Sequence, residues 1–182
     1  MTGPGVPHSS VDWKELPARP CPVAESLDLF GDRWSMLIIR DVMNGVRRFD
    51  DLVDRLEISR ATLSDRLRRL TATGILEQGE YDTGRGRTRL EYRMTERGWD
   101  LRHLLIALRE WGDRHVIGDG NEPLRLVDRT TGHVVRLRLV DDETGETVDG
   151  RDIVHVPGPA FSSLEVAATR SGSERDRDES TP

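Results

Sequence analysis

The chain of 182 residues has one cysteine, one lysine and few aromatic residues, and each scarcity excludes something. With Cys21 alone, there can be no intramolecular disulfide and no metal site built from several thiols. Lys14 is the sole lysine, so positive charge is carried by arginine, a bias that decides nothing about function. No apolar run approaches the roughly 20 residues that a bilayer-spanning helix needs, which excludes a membrane partner of that kind. The opening MTGPGVPHSS lacks the basic-then-apolar order of a secretory signal, and the expected location is the cytoplasm. No glycine-rich phosphate loop, nucleophile elbow or metal-binding motif occurs, so neither an enzyme, a cofactor nor a metal is expected. His103 and His115 stand at helical spacing and read as surface or interface residues.

The formal net charge of −6 argues at first against a nucleic-acid partner. Its distribution reverses that inference. From Ser59 to Arg93 eight arginines meet five acids, whereas from Asp119 to Pro182 eight arginines meet fourteen acids. The middle of the chain is basic and the acidity lies behind it.

Residues 1–20 carry four prolines and two glycines without periodicity, the pattern of a flexible arm. Pro22 suits a first helical position, and Val23, Leu27 and Phe30 share one face of the helix that follows. After Gly31, Asp32 is placed to cap a second helix with a buried stripe of Trp34, Leu37, Ile38 and Val42. Met36 and Ile39 widen that stripe, as a central core helix requires. Arg47 and Arg48 then precede a short helix whose Phe49, Leu52, Val53 and Leu56 face inward.

The next stretch, Ile58 to Leu76, carries the most specific pattern. Ser59 can accept a bond from an unpaired amide of the first turn. Leu63, Leu67 and Leu70 recur on one face, and Gly74 is placed to end the helix. Ala61, Thr62, Asp65, Arg68 and Arg69 project away from the leucines. Alone this is an amphipathic surface helix. Preceded by a short helix and a tight turn, it becomes the second helix of a helix-turn-helix, able to lie in a DNA major groove. Two β-favouring stretches around the Asp82–Arg87 turn then predict a hairpin, a wing whose arginines can reach DNA backbone or minor groove. Thr95 caps a longer helix with Leu101, Leu104, Leu105, Leu108 and Trp111 in a stripe. One small domain does not need so broad an apolar face, so its expected partner is a second copy of the chain.

In order along the chain, CPV, GDRW, RRF, LSDRL and YRMTERG, spread over Cys21 to Gly112, resemble the HxlR-type winged helix-turn-helix transcriptional regulators. The resemblance implies a homodimer that binds a double-stranded operator and usually represses. By position it implies DNA contacts from Ser59, Arg60, Thr62, Asp65, Arg66 and Arg69 on the recognition helix. Arg85, Arg87 and Arg89 belong to the wing, and Arg48 to a backbone contact. Cys21 stands where some relatives carry a thiol that senses oxidants or electrophiles, and in others the cysteine is simply packed. A small-molecule effector is compatible with the reading, but no residues point to its site.

The fold class expected is mainly α with a small β component, a winged helix-turn-helix domain plus a small C-terminal β appendage. The divisions are an arm over 1–20, the DNA-binding and dimerisation domain over 21–117, the appendage over 118–160 and a disordered tail over 161–182. The appendage alternates apolar and polar residues, predicting two or three short antiparallel strands. It also resembles a zinc-ribbon-like extension of some relatives, with Thr131-Gly132-His133 and Thr144-Gly145 where cysteine motifs would stand. His133 and His155 cannot supply about four ligands, so a metal-free relic is expected. The competing reading is a winged-helix protein-interaction module without sequence-specific DNA binding. It calls for an acidic or apolar recognition face, and this one carries arginines.

Overall fold

Three capping side chains set the main helical boundaries in the computed structural model, which describes residues 14, 20–82, 88–118, 120–156 and 158–159. Helix α1 spans Pro22–Phe30 and α2 spans Arg33–Met43. Asp32 begins α2 by accepting the N–H groups of Trp34 and Ser35, each at 3.1 Å, which satisfies donors that the first turn leaves without partners. Helix α3 covers Phe49–Leu56, and α4 covers Arg60–Ala72. Between them Glu57 takes a left-handed conformation (φ 50°), then Ser59 caps α4 by accepting Thr62 N–H at 3.1 Å. Gly74 turns the chain left-handed after α4 (φ 69°).

Strands β1 (Leu76–Asp82) and β2 (Thr88–Met94) pair antiparallel, with Leu76 opposite Met94 and Asp82 opposite Thr88. The segment before α3 joins them, since Arg48 bridges to Glu91 and Arg47 accepts the Tyr92 N–H at 2.8 Å. The wing is thus tied at the middle of β2 to the start of the helix-turn-helix.

Thr95 caps the next helix by accepting Gly98 N–H, and its own hydroxyl donates to Gly74 C=O at 2.6 Å. The single long helix expected here comes as a short α5 (Glu96–Trp99) and α6 (Leu101–Gly112), with Asp100 between them in helical conformation (φ −60°, ψ −27°). The winding then widens to a π-type turn over Asp113–Ile117. At Gly98 a Cβ would stand 2.2 Å from Ile75 C=O, so only glycine lets α5 sit against the start of β1.

One apolar core holds α2, α3, α4 and the root of the wing together. Ile38, Ile39, Val42, Leu52, Leu63, Leu67, Leu70, Ile75 and Leu76 are all buried. Ile38, Ile39 and Val42 of the widened α2 stripe are buried and Met43 joins them, whereas Trp34 packs at the margin and Leu37 is half-buried. A helix covered on two sides has no single stripe, so periodicity cannot rank its apolar residues.

Contacts divide the chain into two units, residues 26–137 and residues 1–25 with 138–182. Within the first, the segment after α6 is anchored by Glu110, whose Oε1 accepts Leu137 N–H at 2.9 Å, and by Arg109, which donates to Leu124 C=O. The short antiparallel pairings expected in the appendage come as two tight turns, each flanked by a single antiparallel bridge. Leu124-Arg-Leu-Val-Asp128 recurs thirteen residues later as Leu137-Arg-Leu-Val-Asp141, each followed by a Thr-Gly pair. Asp128 Oδ1 accepts the N–H groups of Thr130 and Thr131, and Asp141 Oδ1 accepts those of Glu143 and Thr144. Gly132 and Gly145 close the two turns in matching left-handed conformations, φ 70° and 73°. One isolated bridge stands beside each turn, Val127 with Val134 and Val140 with Thr147. Aspartate can bond backbone two and three residues ahead, so each turn closes locally. A pair of backbone bonds across it completes it: Asp128 N–H to His133 C=O and Val135 N–H to Leu126 C=O in the first, Asp141 N–H to Glu146 C=O and Val148 N–H to Leu139 C=O in the second.

Candidate nucleic-acid interface

Helix α4 has three distinct sides, each set by its spacing. Leu63, Leu67 and Leu70 face the core. Opposite them Ala61, Arg68 and Ala72 are exposed, with Asp65 half-exposed and paired to Arg68. These outer residues are the ones a major groove would meet first.

The two flanks of α4 differ. On one flank Arg60 pairs with Asp50 at 2.9 Å, and its guanidinium stacks 4.9 Å from the centre of the Phe49 ring. Ser64, one turn further along that flank, is exposed. On the other flank Arg66 is only 23% exposed, because its Nε donates to Asp32 at 3.0 Å and its Nη1 to Asp65 at 2.8 Å. Arg69, beside it, donates to Asp28 C=O at 3.3 Å. Asp32 thereby caps α2 and holds α4 at once. Burial raises the energy of its charged form, but bonds from the Ser35 hydroxyl and N–H, the Arg66 guanidinium and Trp34 N–H outweigh it. They hold its carboxyl below the usual carboxylate range.

The expected DNA contacts therefore stand in unlike surroundings. Ser59 and Arg60 are exposed, while the Thr62 hydroxyl lies 2.8 Å from that of Ser59. Asp65 bridges two arginines, and Arg66 and Arg69 are drawn toward the α1–α2 corner. Arg48 stacks 4.4 Å over the Tyr81 ring, and Arg89 is exposed on β2 opposite Tyr81. Arg85 and Arg87 lie outside the described residues. Exposed Ser64 and Arg68 were not among the expected contacts, although their helical positions relative to Arg60 and the leucines place them outward.

A cleft of about 500 Å³ lies between the recognition helix and the wing. Arg48, Phe49, Asp50, Asp51, Arg60, Tyr81, Arg89 and Leu90 line it. A second cavity, about 630 Å³, lies between α6 and residues 122–136, with Arg114, Arg125 and Arg136 among its lining.

Away from these clefts, α6 leaves part of its stripe uncovered. Leu101 and Leu105 pack on the core, whereas Leu104, Leu108 and Trp111 are 45, 54 and 58% exposed. Val23 and Leu27 on α1 are exposed as well. Cys21 immediately precedes α1, half-buried, with its carbonyl accepting Glu25 N–H at 2.9 Å. Among the described residues no cluster of histidine, cysteine and acid could hold a metal, and no helix is long and apolar enough to cross a membrane.

A three-helix core with its second helix-turn-helix member turned outward, followed directly by a wing, defines a winged helix-turn-helix transcriptional regulator. Known proteins agree. The chain is 38% identical over 141 residues to Rv3095 of Mycobacterium tuberculosis, an uncharacterised regulator of the helix-turn-helix type, covering 78% of this chain and 88% of that one. The crystal structure of PA1607, a candidate transcription factor, superposes with a TM-score of 0.68 at 34% identity, over 78% of this chain and 97% of that one. PA1374 of Pseudomonas aeruginosa, another candidate transcription factor, gives 0.56 at 35% identity, over 81% and 99%. The profile of the HxlR-like helix-turn-helix family matches residues 29–119, and the chain belongs to that family.

Proposed function

We propose that this regulator is a sequence-specific repressor that binds its operator as a homodimer. The observation that carries the reading is the outward side of α4, where Ala61 and Arg68 are exposed, with Ser64 and Arg60 exposed on the flank that borders an arginine-lined cleft at the wing. Small and arginine side chains there can reach base edges, while the cleft arginines meet backbone phosphate. Ser59, Thr62, Asp65, Arg66 and Arg69 complete the helix surface near the bases, Arg66 and Arg69 after exchanging their internal acceptors for DNA.

The second copy docks on α6. Leu104, Leu108 and Trp111 are too apolar and too contiguous along one helix to be left to water. Leu101 and Leu105 support that surface from the core side. Repression follows when a dimer covers two half-sites about one helical turn apart. Cys21, half-buried at the head of α1, is the candidate thiol through which an oxidant or electrophile would change operator binding, the alternative being a cysteine that is simply packed.

Titration of the full chain against duplex DNA at rising salt tests the DNA reading. Affinity falls steeply with salt if phosphate contacts displace counterions; a flat or absent response defeats it. Light scattering reads the dimer directly. Cys21→Ser abolishes the response of operator binding to diamide or a quinone, and an unchanged response removes the sensing role.

A further inference from the structure

We propose that the cleft between α4 and the wing seats one backbone phosphate on Arg48 and Arg60, with Tyr81 and Phe49 as the positioning residues for the two guanidiniums. The inference rests on the DNA-binding reading above and adds to it how the arginines are held.

Four observations converge on it. First, both arginines lie with their charged ends over aromatic rings, Arg48 at 4.4 Å from Tyr81 and Arg60 at 4.9 Å from Phe49. Stacking covers the face of a guanidinium and leaves its N–H edge open to donate, the geometry that suits a phosphate oxygen pair. Second, both are fixed at the backbone. Arg48 bridges to Glu91 of the wing, and Arg60 is the first residue of α4. A long side chain already ordered loses less freedom on binding.

Third, the lining contains Arg48, Arg60 and Arg89 against Asp50 and Asp51, an excess of one positive charge, which one phosphodiester neutralises. Fourth, Asp50 already holds Arg60 at 2.9 Å while both remain largely exposed. That pair is readily exchanged, so Asp50 occupies the place of the phosphate in free protein. Nothing in the cleft is shaped to read a base. Its arginines come from the flank of α4, the segment before α3 and the turn end of β2, and the outer side chains of α4 remain for the bases.

The test is anisotropy titration of the full chain with a labelled random-sequence duplex over a range of salt. Arg48→Ala and Arg60→Ala should each flatten the salt slope by about one unit. Tyr81→Leu should weaken binding about threefold, whereas Tyr81→Phe, which keeps the ring face, should bind as the parent does. In the Arg48→Ala background, Tyr81→Leu should cost nothing more, because the ring acts through that arginine. The phosphate seat is overturned if both arginine variants keep the parental slope, if Tyr81→Phe loses as much as Tyr81→Leu, or if the tyrosine loss persists without Arg48. A parent that binds no duplex overturns the DNA reading itself; a parent that binds while the arginine variants keep its slope overturns only the seat.

Discussion

The winged core on one hand, and α6 and the C-terminal repeat on the other, are all rich in leucine, isoleucine and valine, yet they treat those residues in opposite ways. In the core Leu52, Leu63, Leu67 and Leu70 are buried. On α6 Leu104 and Leu108 stand in solvent, as do Val127, Val134 and Val140 in the repeat. Composition is therefore no guide to where the free energy lies. The core is stabilised by apolar burial; the repeat turns are each closed by an aspartate bonding its own backbone; and α6 keeps Leu104, Leu108 and Trp111 exposed, the face proposed above to take a second copy.

The largest effect that separates these regions is a core truncation. Leu67→Ala should lower unfolding stability by about 2–5 kcal/mol in a denaturant melt. Leu108→Ala should leave the monomer nearly unchanged and instead weaken self-association, read by sedimentation. Equal losses of stability in both would erase the contrast. Somewhat smaller is Gly98→Ala, whose Cβ must push Ile75 C=O from a separation of 2.2 Å. About 1–3 kcal/mol should be lost as the start of β1 shifts, and a thermal melt indistinguishable from the parent would show that α5 yields instead.

Next comes pH. The Asp32 carboxyl is held below its ordinary value in the folded chain, so its stabilising contribution is present above the unfolded value of about 3.9 and lost as pH falls through the folded one. Melting temperature should drop on acidification below about pH 4, and Asp32→Asn should be less stable than the parent at pH 7 with a shallower acid loss. The smallest effect belongs to the repeat. Asp128→Ala should speed amide exchange at Thr130 and Thr131 alone, leaving the melt of the core unaltered. Loss of the core melt as well would show that the repeat is not held locally.

Much of the winged domain is legible along the chain because its determinants are local. Asp32, Ser59 and Thr95 cap the helices they immediately precede. The leucine period of α4 fixes which side goes inward, and the two β-favouring stretches mark the strands that pair. The C-terminal repeat was equally local, since Leu-Arg-Leu-Val-Asp occurs twice at a spacing of thirteen, but alternation of apolar and polar residues suits strands as well as turns. The Asp-x-x-Thr-Gly pattern decides for turns, through the bonds from Asp128 and Asp141 to the backbone ahead.

Other features join residues that sequence proximity does not relate. Arg66 and Asp32 are thirty-four residues apart, and Arg69 and Asp28 forty-one. On a helical wheel Arg66 and Arg69 look as available to DNA as Arg60. Packing of α4 against the α1–α2 corner gives them internal acceptors, and packing against α3 and the wing gives Arg60 a ring and a carboxylate.

What the sequence determined by itself is the set of elements and their order, because caps, turn residues and apolar periods act within a few residues of where they are written. The tertiary structure alone decided what Arg60, Arg66 and Arg69 meet beyond their own helix. A guanidinium reaches several ångströms from its backbone, and what it meets there is set by neighbouring helices whose positions no local pattern specifies.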